Sequence, residues 1–262
     1  MKKYMICFKA GLQETMEYRV DFMLNSISIV FVVAMQIFMW KTMYTGKSQL
    51  FSYTYIQMLM YTVFASLVSR VTMIDLGAAE IIKTGELSRY LIKPSNYFFQ
   101  TVCNCTGRQC TTFVIIMVLL AMAISFFQFY TEIQITVLRC LLMILALFFG
   151  FFINVLLNFM ISMAAFWFSE VGNLFSTVYI VQLLLSGGIF PLSIFGNVFK
   201  TISDLLPFSY TIQFPVNIIT NKLSGSEIGR GIMMQIIWIG LSALAAYYLW
   251  KRGLRRYMAV GG

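Results

Sequence analysis

The sequence has no histidine, only 10 acidic residues and only four prolines among its 262 residues. Without histidine it lacks the commonest general base near neutral pH and the commonest metal ligand. Serine–histidine and cysteine–histidine catalytic pairs are excluded, and so is an H-E-x-x-H zinc site. Charge is scarce as well, at 11% of residues, and no polar stretch is long enough to be a water-soluble domain. No G-x-x-x-x-G-K-[ST] occurs; Ser186-Gly187-Gly188 and Gly225-Ser226-Glu227-Ile228-Gly229 are not followed by Lys-Ser/Thr. The chain therefore carries no P-loop for a nucleotide. The loop carboxylates Asp75, Glu80 and Glu86 have no second catalytic type beside them, which argues against an enzyme.

What is present is apolar. Sixty per cent of residues are hydrophobic and the mean hydropathy is +0.81, the composition of a polytopic membrane protein. The net charge is +9. In a soluble protein that would suggest nucleic acid, but here the cations stand at the ends of apolar runs. That is the positive-inside pattern, so membrane lipids are expected as partners and nucleic acid is not. Lys9, Glu14, Glu17, Arg19 and Asp21 interrupt the apolar run that a signal peptide would need, and no cleaved segment is expected. The cysteines are Cys7, Cys103, Cys105, Cys110 and Cys140. The C-x-C-x4-C cluster lacks a fourth nearby ligand for zinc and reads as small reduced thiols, so no metal is assigned.

Runs without a charged side chain cover 22–40, 48–69, 109–131, 140–169, 171–199, 205–221 and 231–250. A spanning helix needs about 20 apolar residues. The run 205–221 is short and carries Pro207, Gln213, Pro215, Asn217 and Asn221, leaving six spans, at about 22–44, 52–74, 108–130, 136–168, 172–190 and 230–250. One transmembrane domain, 1–262, is expected. Met5, Phe8, Leu12 and Met16 recur at spacings of three and four, so residues 1–20 are expected to form an interfacial helix. Lys2, Lys3, Lys9 and Arg19 at the start, Lys83, Arg89 and Lys93 in the 75–100 loop, and Lys251, Arg252, Arg255 and Arg256 at the end put both termini and that loop on the cytoplasmic side.

Two stretches break the pattern. Between Tyr179 and Pro215 an apolar helix is interrupted by Ser186-Gly187-Gly188 and Pro191, resumes with helical spacing, and stops again at Leu206-Pro207. Irregular backbone is tolerated at membrane depth only where protein or a water-filled cavity satisfies it. Two arrangements fit: an external re-entrant or interfacial hairpin over 187–222, or a span ending at Pro191 followed by a surface helix. The second stretch is the polar loop 75–100. Glu86–Lys93 gives about two helical turns between the breakers Gly85 and Pro94. It reads as a docking helix for a cytoplasmic partner or as a solvated loop dipping into the headgroups. Mid-span polar residues are mild; Asn154, Asn158 and Gln182 read as helix glue or as the lining of a conduit. No mid-span acid or base exists to couple transport to ions.

Three pieces then resemble the ABC-2 type permeases, the membrane subunits of type V ABC exporters. They are Glu17-Tyr18-Arg19, the segment Ile82-Lys83-Thr84-Gly85-Glu86-Leu87-Ser88-Arg89-Tyr90-Leu91-Ile92-Lys93-Pro94, and the pair Leu185-Ser186-Gly187-Gly188-Ile189-Phe190-Pro191-Leu192 and Leu206-Pro207-Phe208-Ser209-Tyr210. The branch is the poorly characterised one whose permeases often occur in pairs with a single separate ATPase. The resemblance implies an all-α, six-span subunit with an N-terminal interfacial helix, a cytoplasmic coupling helix and an external re-entrant helical hairpin. It implies a bacterial cytoplasmic-membrane location, a second permease (the same chain or a relative) and a cytoplasmic ABC ATPase dimer. ATP and Mg would be held by that ATPase and no cofactor by this chain. Coupling is assigned to Lys83, Gly85, Glu86, Leu87, Arg89, Tyr90, Leu91, Lys93 and Pro94. The external gate is assigned to Gly187, Gly188, Phe190, Pro191, Leu192 and Pro207. The expected function is outward transport of an amphipathic or apolar substrate such as a lipid, drug or peptide. The alternative is an ATP-independent channel or scaffold.

Overall fold

The computed structural model describes residues 2–17, 19–47, 49–50, 53–74, 76–92, 95–130, 135–168 and 172–257. Tyr18, Asp75, Lys93 and Pro94, singled out above, lie outside them. The regular structure of the described chain is helical apart from one short two-stranded ladder. Its helices are α1 (Lys2–Glu17), α2 (Arg19–Met43), α3 (Tyr55–Thr72), α4 (Ala78–Lys83), α5 (Leu87–Leu91), α6 (Tyr97–Tyr130), α7 (Val137–Ser162), α8 (Gly172–Leu185), α9 (Asn197–Leu205), α10 (Gln213–Ile219) and α11 (Gly225–Leu254). Strands β1 (Gln49–Leu50) and β2 (Tyr53–Thr54) pair antiparallel between α2 and α3.

Three described helices are long and apolar enough to cross a membrane: Tyr97–Tyr130, Val137–Phe166 and Gly225–Leu254. Ile27–Met43 and Gly172–Leu185 are shorter apolar helices. The starts follow local chemistry. Thr54 and Gln57 form a capping box at α3. At α11 the Ser224 backbone N–H donates to the Glu227 carboxylate at 2.8 Å. Each satisfies helix N–H groups that would otherwise lack partners.

α6 begins well before its charge-free run. Its 34 residues extend about 50 Å at 1.5 Å per residue, against a hydrocarbon core of about 30 Å. Its first half is covered by α1. Tyr4 meets Phe99 with ring centroids 6.0 Å apart, the Thr15 hydroxyl donates to the Arg108 carbonyl at 3.1 Å, and Arg108 pairs with Glu14 at 3.6 Å. The contacts advance together along both chains, so the two helices run parallel. The helix expected over 1–20 is therefore packed along α6.

Two buried clusters organise the rest. The first joins α3, α6, α7, α10 and the start of α11 around Phe64, Ile116, Leu147 and Ile218. The second gathers α4 and α5 with the start of α6, the end of α7, the 3-10 turn Met163–Phe166 and the end of α11. α3 lies at the centre, with Tyr61, Phe64 and Val68 buried. α2 packs against it and α8 faces it across cavities lined by Ser69, Met73, Tyr179 and Leu183; the two leave Val30, Phe31, Met35, Phe38, Ile180 and Val181 exposed, as suits surfaces that meet lipid or another chain.

Candidate functional site

The described part of the 83–94 segment, 83–92, joins the end of α4 to α5. α4 ends at Lys83, and Gly85 takes φ +79° between it and α5, a left-handed turn that glycine adopts without a Cβ penalty. Lys83, Glu86, Arg89, Leu91 and Ile92 are exposed. Leu87 is fully buried and Tyr90 is half-buried with its ring 5.3 Å from Tyr97. These two hold the segment down, whereas the other five face outward.

An aromatic cluster lies beneath. Tyr97 at the start of α6 stacks on Trp250 near the end of α11, 5.3 Å apart and 9° from parallel. Phe159 and Phe166 meet Trp250 at 5.7 and 5.9 Å. The segment thus rests on the ends of three long helices. Sequence reading missed Tyr97, Phe166, Trp250 and Tyr257. Their only sequence signal was the position of aromatic rings at helix ends, which an interfacial belt explains equally well.

The second site is the break after α8. The Gln213 backbone N–H donates to the Ser186 carbonyl at 2.9 Å, so the two ends of 186–213 close on each other. Gly187 has φ +75°, and its carbonyl accepts from the buried Tyr61 hydroxyl at 2.7 Å. The Gln213 side-chain carbonyl accepts from the Leu192 N–H at 3.0 Å. Phe190 sits edge-on to Trp40, 5.8 Å away. Gly188, Pro191, Leu192 and Pro207 are buried. The backbone groups freed by the break therefore find partners inside the protein, which is what a broken apolar helix requires.

The return path runs beside α7. Gln235 Nε2 donates to the carbonyls of Ala146 (2.9 Å) and Tyr210 (2.8 Å). Arg139, nearer the α7 start, donates to those of Ile218 (3.0 Å) and Leu223 (3.2 Å). Hence 210–218 descends along α7 from its middle to its beginning. Near the rim, Lys222 Nζ lies 4.2 Å from the Tyr53 ring centroid, a cation–π geometry, and desolvation there lowers its pKa below the ordinary lysine value.

Of the mid-helix amides, Gln182 donates to the Asn154 side-chain carbonyl, tying α8 to α7 where both are buried. Asn158 Nδ2 turns back to the Asn154 backbone carbonyl at 3.0 Å. Asn158 and Gln182 also line a cavity of about 470 Å³ with Met73, Ile74, Phe175 and Tyr179. Two of the three amides therefore border open space, and one pair holds helices together.

A family model described as ABC-2 family transporter protein matches residues 18–261. The chain belongs to this family. No curated protein and no solved structure matches it. As an ABC-2 family permease, the chain is a membrane transport component whose family works with an ABC ATPase. Its site is then to be sought in surfaces that move or open rather than in a catalytic constellation.

Proposed function

We propose that the chain is the permease subunit of an ABC exporter of the bacterial cytoplasmic membrane, with both termini cytoplasmic. It pairs with a second permease and is powered by two separate ATPase subunits that hold ATP and Mg. The observation that carries this reading is the mounting of α4 and α5. Their outer face is polar with exposed Leu91 and Ile92, and their inner face rests on the ends of α6, α7 and α11. A push on the outer face reaches three long helices through packed rings, since close-packed side chains transmit displacement.

Substrate passes between the two permeases, along the side of α3 that α8 shares. The cavity there mixes Met, Ile and aromatic rings with Asn158 and Gln182, which suits an amphipathic or apolar molecule. The 187–207 hairpin closes the external end, and the Tyr61–Gly187 and Gln213–Leu192 bonds hold it shut. The exposed faces of α2 and α8 meet the second permease.

The test is gentle extraction from the native membrane followed by intact-complex mass measurement. Two ATPase chains with two permease chains are expected. A lone oligomer of this chain under every mild condition would sink the exporter reading in favour of a channel or scaffold.

A further inference from the structure

The end of α11 carries features that the site above leaves unused. The Tyr257 hydroxyl donates to the Gly85 carbonyl at 2.7 Å and accepts from the Ser88 backbone N–H at 3.2 Å. The turn between α4 and α5 is thereby fastened to a residue 172 positions away in the chain. The Tyr257 ring also meets Phe166 edge-on at 6.0 Å. Two elements far apart in sequence thus present one surface, and its charge is lopsided. Lys83, Arg89, Lys251, Arg252, Arg255 and Arg256 are exposed, with only Glu80 and Glu86 as described carboxylates on α4, α5, the turn between them and the last turns of α11; Glu227 stands at the opposite end of α11. Among the described residues none of these six cations lies in an ion pair.

We propose that the last turns of α11 and the α4–α5 turn form a single basic docking surface, fastened by Tyr257, that takes an acidic face of the ATPase subunit. This rests on the exporter reading above. Exposed Leu91 and Ile92 supply an apolar centre and the cations a charged rim, the usual anatomy of a protein interface. Concentrated charge of one sign selects a partner of the opposite sign and speeds its encounter. A protein partner is favoured over the bilayer by what the cations are fastened to. The α4–α5 turn belongs to the polar 75–100 loop, outside the charge-free runs, and Tyr257 ties the last turns of α11 to it.

The experiment uses the whole permease–ATPase complex in nanodiscs of phosphatidylcholine alone and of phosphatidylcholine with an anionic phospholipid. ATPase retained per permease is measured against salt concentration for the natural chain, R255E/R256E and Y257F. For the natural chain, retention falls as salt rises, because exposed charges are screened beyond a Debye length of about 8 Å at physiological ionic strength. R255E/R256E lowers retention about tenfold and flattens its salt dependence in both lipids, with the permease thermal midpoint unchanged since both arginines are exposed. Y257F keeps the charges and the salt dependence but lowers ATPase retention at every salt concentration, because the turn is no longer fastened to the end of α11. Unchanged retention and salt dependence in R255E/R256E would overturn the proposal. So would an effect seen only with anionic lipid, which would assign the cations to headgroups. No ATPase on the natural chain in any nanodisc sinks the exporter reading itself, and the docking surface with it.

Discussion

Gly11 of α1 and Gly107 of α6 face each other, and neither has room for a side chain. A Cβ on Gly11 would overlap the Asn104 carbonyl, and one on Gly107 would overlap the Phe8 carbonyl. The two backbones touch, as helices do where small residues meet.

Gly107→Val should therefore separate α1 from α6. Overpacking a tight contact costs about 1–3 kcal/mol, and the loss should appear as a lower thermal midpoint and faster proteolysis near residues 2–17. Lys9→Ala, on an exposed position of the same helix, should change neither. Equal protease resistance in Gly107→Val would contradict the close packing.

At the break after α8, Tyr61→Phe removes the donor to the Gly187 carbonyl and leaves that buried acceptor unpaired, at a cost of about 1–3 kcal/mol. Gly187→Ala should cost at least as much. Its backbone is left-handed, and the new Cβ would lie 2.7 Å from the Tyr61 oxygen and 2.8 Å from Gln213 Oε1. Labelling of a cysteine placed at the exposed Ser193 reports the result, with faster modification expected in both variants.

The Gln182–Asn154 bond gives a double-mutant cycle. Either amide changed alone to Leu strands a buried polar partner, whereas changing both removes the mismatch. Coupling of about 0.6 kcal/mol is typical of hydrogen bonds between membrane helices, and unfolding in mild detergent measures it. If the double variant also changes substrate selectivity, the pair borders the path as well as joining the helices.

α9 presents Val198, Ile202 and Leu205, all exposed and at spacings of four and three. Such an apolar stripe on a short helix suits the boundary between lipid and water. Tryptophan placed at Ile202 should be quenched by lipids brominated close to the headgroup and much less by lipids brominated at the chain ends. Quenching by aqueous iodide alone would remove α9 from the membrane.

Much of this was legible in the chain. Charge-free runs announced the apolar helices, and the breakers Gly85, Gly187 and Pro191 marked turns because glycine and proline act on the backbone locally. Helix ends were less legible. α6 starts at Tyr97 rather than near 108 because α1 covers its first half; α8, by contrast, stops at Leu185, where Ser186-Gly187-Gly188 was expected to interrupt it, and the Ser186 carbonyl bonds to Gln213 instead of to a further turn. The exposed face of α5 could be guessed, yet Leu87 turned inward where a loose helix would have left it outside.

By itself the sequence determined class and polarity. Lack of histidine removed the histidine-based catalytic pairs and the missing G-x-x-x-x-G-K-[ST] removed a P-loop, abundant apolar residues required a membrane, and the placement of lysine and arginine suggested its sides. These follow from composition and short-range pattern. Only the tertiary structure decided that Tyr257 holds Gly85 and that Tyr61 holds Gly187. Each pair lies more than a hundred residues apart, and no local propensity fixes which distant hydroxyl reaches a given carbonyl. Packing fixes it: around α3 for Tyr61, and at the ends of α6, α7 and α11 for Tyr257.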